Sequence, residues 1–234
     1  MTALILILLT AGAHAESHSW ASGNRLQLTN GAGDLSVEAG GETFEVQTEL
    51  KQGKCVVTFG DKGKPSVLVE PEKRNGSCEM DVTVKMPAEA SLVVELGAGD
   101  VEIEGLVGSA ILQVGAGNVE IDAGSVRLEL GAGNIDGSLA GESTVRVGAG
   151  NVELDGLSQA IEVIAGAGNV ELTYDEAPQG RVEVTAGIGN VEIDLPDGTV
   201  IEADLPDTAK VKLETGDSKT RVQVQAGLGN VRVE

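Results

Sequence analysis

The feature that most constrains the fold of this chain is a short glycine-rich sequence that recurs through its second half. The copies are close, as in "VGAGNVEIDAG" from Val114, "VGAGNVELDG" from Val147 and "AGAGNVELTY" from Ala165. Their first glycines lie at positions 97, 115, 131, 148, 166 and 187, at intervals of 18, 16, 17, 18 and 21 residues, before a last copy at Gly227. A regular period of this size predicts a solenoid, because one repeat buries its apolar side only by stacking on neighbouring repeats.

Apolar and polar residues alternate on both sides of each glycine turn. Examples are Val119-Glu120-Ile121 after a turn and Leu128-Glu129-Leu130 before the next one. This period of two is typical of strands, whereas a helix gives a period of 3.6. We therefore predict an all-β fold, a single-stranded parallel β-helix or β-roll solenoid of right-handed winding with about 17–20 residues per coil.

The turn itself requires glycine and asparagine for different reasons. Glycine adopts positive φ without a Cβ penalty, and asparagine tolerates the left-handed region. Stacked asparagines can also pass hydrogen bonds from coil to coil. The predicted turn ladder consists of Asn118, Asn134, Asn151, Asn169, Asn190 and Asn230. In the gap before Gly227 we expect one degenerate coil, with "DLPDT" (204–208) in place of a glycine turn.

The chain divides into three predicted regions. Residues 1–15, "MTALILILLTAGAHA", have the short apolar core and small-residue ending of a secretory signal peptide, which is too short to span a membrane as a helix. Residues 16–90 read as an irregular N-terminal β cap and residues 91–234 as the solenoid. We therefore expect an exported protein of the periplasm, cell surface or extracellular space. The sequence ends inside a strand, "NVRVE", which predicts a bare edge able to accept another chain.

Cys55 and Cys78 are the only cysteines. Export places them where disulfides persist, so we expect one bridge, and two buried free thiols are the alternative.

The net charge of −21 argues against nucleic acid and anionic membranes as partners. Acidic residues concentrate in one outward column after the turns: Glu102, Glu120, Asp136, Glu153, Glu171 and Glu192. One interpretation is a solvated face that keeps a β-rich exported protein from self-association. The other is a linear array that binds divalent cations or a cationic partner.

Catalytic and cofactor motifs are lacking in the sequence. The mature chain would keep one histidine, His18, and no Ser-His-Asp set or metal-ligand cluster can be assembled. The turns lead into strands, which argues against dinucleotide binding, and Val119 occupies the aspartate position of calcium-binding nonapeptide repeats. Aromatic residues, at 2%, are too few for sugar platforms. We predict that the protein is not an enzyme and has no cofactor.

The segment "DVTVKMPAEASLVVELGAGDVEIEGLVGSAILQVGAGNVEI" from Asp81 resembles bacterial putative-adhesin solenoid families, which include domain-of-unknown-function proteins and head domains of autotransporter adhesins. The resemblance implies a solenoid fold and an adhesin-like role. Our leading hypothesis is a non-enzymatic envelope or surface interaction protein whose acidic face binds an envelope or surface protein or polysaccharide. The alternative is a self-assembling scaffold, a homo-oligomer that polymerises through its open C-terminal coil.

Overall fold

The structure, a computed structural model, describes residues 5–9, 15–61, 63–206, 209–211, 214–215 and 220–234. All the regular secondary structure in these residues consists of β-strands, so the all-β prediction is confirmed. The chain forms two compact units, residues 1–117 and 118–234. The predicted regions 1–15, 16–90 and 91–234 remain predictions.

The first unit begins with strands that pair partly in antiparallel and partly in parallel. Its strands in the described residues are β1 (Ile5–Leu9), β2 (Ala15–Trp20), β3 (Arg25–Ala32), β4 (Leu35–Ala39), β5 (Phe44–Gly53), β6 (Cys55–Phe59), β7 (Ser66–Pro71), β8 (Cys78–Met86), β9 (Ser91–Ala98) and β10 (Val101–Ala116). Antiparallel pairs join β1 to β6, β6 to β7, β2 to β5 and β5 to β8. Most of these strands lie in the region predicted to be an irregular cap.

Two parallel ladders make up the rest of the first unit. One runs β7, β3, β9 and the second half of β10, and the other runs β8, β4 and the first half of β10. The glycine turn between β3 and β4 therefore stacks between the β7–β8 segment and the β9–β10 turn. Stacking order differs here from chain order, because β3 and β4 precede β7 and β8 in the sequence.

Part of the predicted signal peptide falls on residues 1–4 and 10–14, which lie outside the described residues. The apolar segment Ile5–Leu9 forms β1 beside β6. Cleavage of residues 1–15 and export stay predictions.

The second unit consists of parallel ladders in the residues that the structure describes. Its strands are β11 (Val119–Ala132), β12 (Ile135–Leu139), β13 (Ser143–Ala149), β14 (Val152–Ala167), β15 (Val170–Ile188), β16 (Val191–Asp194), β17 (Val200–Asp204), β18 (Lys210–Val211), β19 (Glu214–Thr215), β20 (Arg221–Leu228) and β21 (Val231–Val233). One ladder passes through β11, β12, β14, β15, β16 and β21. The other passes through β11, β13, β14, β15 and β20. Each residue pairs with its equivalent one repeat away, as Val152 does with Val170.

The C-terminal strands are not the last strands of these ladders. β16 pairs directly with β21, and β15 pairs directly with β20, so no coil lies between the turns at Gly187 and Gly227. Instead β17 pairs with the outer edge of β20, and β18 with the outer edge of β21. The prediction of a degenerate coil inside the gap was wrong about its position, and residues 207–208 of "DLPDT" lie outside the described residues. The predicted bare edge at "NVRVE" is also wrong over Arg232–Val233, because that stretch is already paired with Lys210–Val211.

The core of the second unit is aliphatic because its ladders present β-branched and leucine side chains to one another. Val152, Leu154, Val170 and Leu172 are all at most 1% exposed, whereas the intervening Glu153 is exposed. Each fully buried side chain of this size contributes about 1.5–3 kcal/mol relative to exposure. The large aromatic side chains Trp20, Phe44 and Phe59 are buried in the first unit, where the strands are less regular.

A disulfide joins Cys55 at the start of β6 to Cys78 at the start of β8, with an S–S distance of 2.04 Å. The prediction of one bridge is confirmed. It connects β6, which pairs with β7 of one parallel ladder, to β8 of the other.

Replacing both cysteines by alanine is expected to destabilise the protein by about 3 kcal/mol, because the bridge removes the closure entropy of a loop with a sequence separation of 23 residues from the unfolded chain. Urea unfolding measures the change. A reducing agent should lower the wild-type midpoint to that of the variant and leave the variant unchanged. Equal midpoints for the oxidised wild type and the variant would contradict the prediction.

Candidate functional site

The glycine turns directly precede the asparagines and acidic residues that the sequence predicts to be functional. The second glycine of each turn has positive φ, for example +144° at Gly150 and +143° at Gly168. No described residue other than glycine has positive φ. The asparagines therefore do not use the left-handed region that they tolerate, because the preceding glycine reverses the chain.

The first glycine of the turn is required for a different reason, which the sequence interpretation missed. A Cβ atom at Gly148, Gly166 or Gly187 would overlap the carbonyl oxygen of the equivalent glycine in the preceding turn. The second glycine is crowded in the same way, and a Cβ at Gly150 would overlap the carbonyl oxygen of Gly133. Close backbone contact between successive turns therefore excludes any side chain at both positions.

The predicted asparagine residues form a column linked by hydrogen bonds in the second unit. The backbone N–H of each asparagine donates to the side-chain Oδ1 of the previous one, at 2.9 Å from Asn169 to Asn151 and 3.0 Å from Asn190 to Asn169. The same bond links Asn134 to Asn118, Asn151 to Asn134 and Asn230 to Asn190. Side-chain amides also donate along the column, as Asn230 Nδ2 does to Asn190 Oδ1 at 3.1 Å. Each bond fixes the register between two repeats at a net value of about 1 kcal/mol.

The first unit carries an aspartate version of this column that the sequence interpretation did not identify in full. The N–H of Asp100 donates to Asp34 Oδ1, and the N–H of Asp34 donates to Asp81 Oδ1, both at 2.9 Å. Asp81 follows no glycine turn, but "DVTV" from Asp81 has the same pattern as the "NVEI" that follows a turn. That likeness was the available signal.

We expect Gly150→Ala to destabilise the protein by about 3 kcal/mol or more, because the new Cβ must displace the backbone of the neighbouring turn. Gly40→Ala is the matched control, since Gly40 has a similar φ of +136° but nothing within 4 Å of its Cβ position. The control should lose only about 1 kcal/mol from backbone strain. Chemical denaturation measures both values, and equal losses would show that turn stacking is not the cause.

Five of the six predicted acidic residues form a continuous column in the second unit. Cross-strand pairs place Glu120 beside Asp136, Asp136 beside Glu153, Glu153 beside Glu171 and Glu171 beside Glu192. We call these five residues the acidic column. Paired parallel strands lie about 4.8 Å apart, so neighbouring carboxylates have no room for a basic side chain between them. The sixth residue, Glu102, lies in the first unit, where its cross-strand partner is Ser36.

The ladder that runs through β13 and β20 is chemically different. There Arg146 pairs with Glu162 at 3.2 Å, and Arg221 pairs with Glu202 at 2.9 Å. Glu129 lies beside Arg146 in the cross-strand register. Acidic side chains on this ladder therefore have basic neighbours, which those in the middle of the acidic column lack.

Within the acidic column, Glu171 is the residue whose pKa is raised. Partial desolvation raises the pKa of this side chain, and the carboxylates of Glu153 and Glu192 raise it further. Asp194 and Asp155 contribute in the same direction. Negative charge at this point of the column is therefore disfavoured in the folded protein, and a proton or other cation relieves it.

The acidic column ends in basic residues. Arg232 in β21 donates a hydrogen bond to Glu192 at 2.9 Å and pairs with Glu234, and Lys210 lies beside Arg232 in register. One carboxylate oxygen from each of Glu192, Asp194 and Glu234 lies within 4.8 Å of the others. Arg232 already supplies a positive charge to two of these three residues. The sequence pattern places Arg232 after Glu192 at the end of the column, but it did not identify Asp194 and Glu234 as members of this group.

Glu171→Gln is expected to raise the melting temperature by about 1 °C at neutral pH. A pKa raised on folding means that the folded state binds this proton more readily, so the charged side chain destabilises the fold above its folded pKa. The gain should disappear as the pH falls to the ordinary value of 4.5 and below, where the wild-type side chain is also neutral. Calorimetry against pH measures the effect. Glu129→Gln, beside Arg146, should show no gain, and a gain of similar size there would contradict the assignment.

Comparison with known proteins places the chain in a family. The family model described as Toastrack DUF4097 matches residues 27–226. The chain belongs to this family. No curated protein matches the sequence significantly.

Solved structures share the fold of this Toastrack chain at low sequence identity. A putative adhesin from Bacteroides fragilis NCTC 9343 is 14% identical, with a TM-score of 0.55 over 96% of this chain and 98% of its own. A putative lipid binding protein from Parabacteroides distasonis ATCC 8503 is 10% identical, with a TM-score of 0.50 over 96% and 98%. The resemblance to adhesin-like families of unknown function is therefore confirmed at the level of family and fold. In the described residues of this Toastrack chain, no helix is long and apolar enough to cross a membrane.

Proposed function

We propose that this Toastrack chain is an exported, non-enzymatic, adhesin-like β-solenoid that uses the acidic column to bind a cationic partner at the cell envelope or surface. Winding as a solenoid is supported by parallel registers in which equivalent residues of successive repeats pair, such as Val170 with Val191. We propose a right-handed winding for these coils, as for parallel strand crossovers in general. The adhesin-like role is supported by the descriptions of its structural neighbours.

The observation that carries the binding proposal is the uncompensated charge of the acidic column. Regular parallel pairing holds five carboxylates in line, and basic residues enter only beyond Glu192. A partner with a similar linear spacing of basic groups, such as an extended lysine-rich segment of an envelope protein, would offset the negative charge that Glu153 and Glu192 place beside Glu171. Divalent cations are also positively charged and could compete for the acidic column, so the test includes them.

Binding of an oligolysine peptide, measured by calorimetry at low ionic strength, tests the proposal. The double variant Glu153→Gln/Glu171→Gln removes two charges from the acidic column, and we expect it to bind about tenfold more weakly. The control variant Glu95→Gln/Glu129→Gln has the same net charge but alters residues outside the acidic column. It should keep nearly wild-type affinity.

Equal weakening of both variants would show that only net charge matters and would overturn the assignment of the acidic column. Calcium provides the second part of the test. If millimolar calcium raises the wild-type melting temperature and abolishes peptide binding, while the control variant behaves identically, the column binds metal rather than a basic partner. Export is tested separately, since processing after Ala15 leaves Glu16 as the N-terminal residue in mass spectrometry.

A further inference from the structure

Beyond β3 and β4, the two ladders of the first unit each continue through three further strands. From β3 the order is β7, β6 and β1, and from β4 it is β8, β5 and β2. Residues 1–15, which we propose to be cleaved, include all of β1 but only Ala15 of β2. Cleavage therefore leaves one ladder a strand shorter than the other, with β6 at its edge.

The edge of β6 that β1 covers presents the backbone groups of alternate residues. Gly60, which directly follows β6, donates its N–H toward the β7 side, to the carbonyl oxygen of Ser66 at 2.8 Å. Because successive residues of an antiparallel strand bond toward opposite sides, the even-numbered residues of β6 also bond toward β7. The N–H and C=O groups that point toward β1 are therefore those of Cys55, Val57 and Phe59. Removal of β1 leaves these six backbone groups at an open edge.

The sequence of β6 is that of a paired strand and not that of a protected edge. Natural edge strands carry charged residues or proline, which discourage pairing with other chains. β6, with the sequence CVVTF, has neither, whereas the outermost strand β2 contains Glu16 and His18. The inward side chains of Cys55, Val57 and Phe59 are at most 1% exposed with β1 in place. Processing would thus remove the strand that β6 is suited to pair with.

The space beside β6 is one strand wide, because β2 faces it from the other ladder. The ring of Phe59 stacks on that of His18 with 4.6 Å between centroids, and Trp20 Nε1 donates to the carbonyl oxygen of Gly60 at 3.1 Å. β2 keeps its place in the processed chain and projects one strand beyond β6. If β6 paired with β6 of a second copy, the two β2 strands would project past the interface from both sides and overlap. A single extended strand avoids this overlap.

We propose that the edge of β6 in the processed protein receives an extended apolar strand from another exported protein. The strand runs antiparallel to β6 in the register that β1 shows, from Cys55 to Phe59. Main-chain hydrogen bonds supply the affinity, and an apolar sequence is required because the strand covers the aromatic end of the core beside Phe59. This inference rests on the proposed processing after Ala15 and is independent of the acidic column.

Amide hydrogen exchange of the exported protein, measured by NMR, tests whether the edge is open. The N–H groups of Val57 and Phe59 should exchange about tenfold faster than those of Val56 and Thr58, which bond to β7. The alternation within one strand is an internal control, because loss of the whole strand would speed all four groups equally. Mass spectrometry of the same sample determines whether residues 1–15 have been removed.

A synthetic peptide tests whether the edge accepts a strand. The probe carries the sequence ILILL of residues 5–9 between flanking glutamates, which keep it away from the acidic column. It should slow exchange at Val57 and Phe59 and leave Val56 and Thr58 unchanged. A control peptide with proline at the position of Ile7 lacks the N–H opposite Val57 and should bind about tenfold more weakly.

Val57→Pro in the protein removes the matching N–H from the open edge and should weaken peptide binding to a similar degree. If a melting curve shows that this variant is unfolded, the two peptides carry the comparison. The variant Glu153→Gln/Glu171→Gln should bind the peptide as the wild type does, which separates this result from the test of the acidic column. Retention of residues 1–15 would overturn the proposal through its premise of processing. In a processed protein, slow exchange at Val57 and Phe59, a dimer that protects them without peptide, or equal binding of the two peptides would each overturn it directly.

Discussion

The close stacking of one glycine turn on the next is the contact on which the rest of the structure depends. A carbonyl oxygen occupies the place where a Cβ would stand, so neither glycine position accepts a side chain. Because the backbones approach this closely, each asparagine N–H reaches the Oδ1 of the previous asparagine. The strands on both sides of the turn are then held in register. Aliphatic side chains stack within the unit, and outward residues stack over outward residues.

The same regularity that builds the core also creates the electrostatic character of the surface. A strand ladder with a fixed register places identical positions beside one another, so a glutamate repeated in the sequence becomes a line of glutamates. Along the ladder through β13 and β20, the sequence varies and ion pairs such as Arg146 with Glu162 form. Along the acidic column it hardly varies, and the carboxylates of Glu153 and Glu192 add to the effect of desolvation in raising the pKa of Glu171. The backbone register keeps these like charges on neighbouring strands, whichever rotamers the side chains adopt.

The unpaired edge of the last strand in a stack can pair with another chain. In this chain the order of stacking differs from the order in the sequence, and some of these edges are covered as a result. In the first unit, β3 and β4 lie inside later strands β7 and β8. In the second unit, β20 and β21 insert between β15–β16 and the earlier segment β17–β18. The final strands of the sequence are thus paired on both sides over part of their length, which an exposed terminal strand would not be.

The sequence by itself determined the strand periodicity, the all-β class, the inward and outward residues and the cross-strand order of the acidic column. It could do so because these features repeat locally, with alternation inside a strand and a nearly constant spacing between turns. The pairing of Cys55 with Cys78 also followed from the sequence, since no other cysteine is present. Tertiary structure alone decided which repeat lies next to which at the start of the first unit and the end of the second. That order depends on long-range pairing in which an earlier segment covers a later one, such as Lys210 with Arg232, and no local pattern encodes it. The tertiary structure also explains why glycine is required in the turns. The atom nearest to the Cβ position of Gly148 is the carbonyl oxygen of Gly131 in the preceding turn, and only folding brings that oxygen close enough to exclude a side chain.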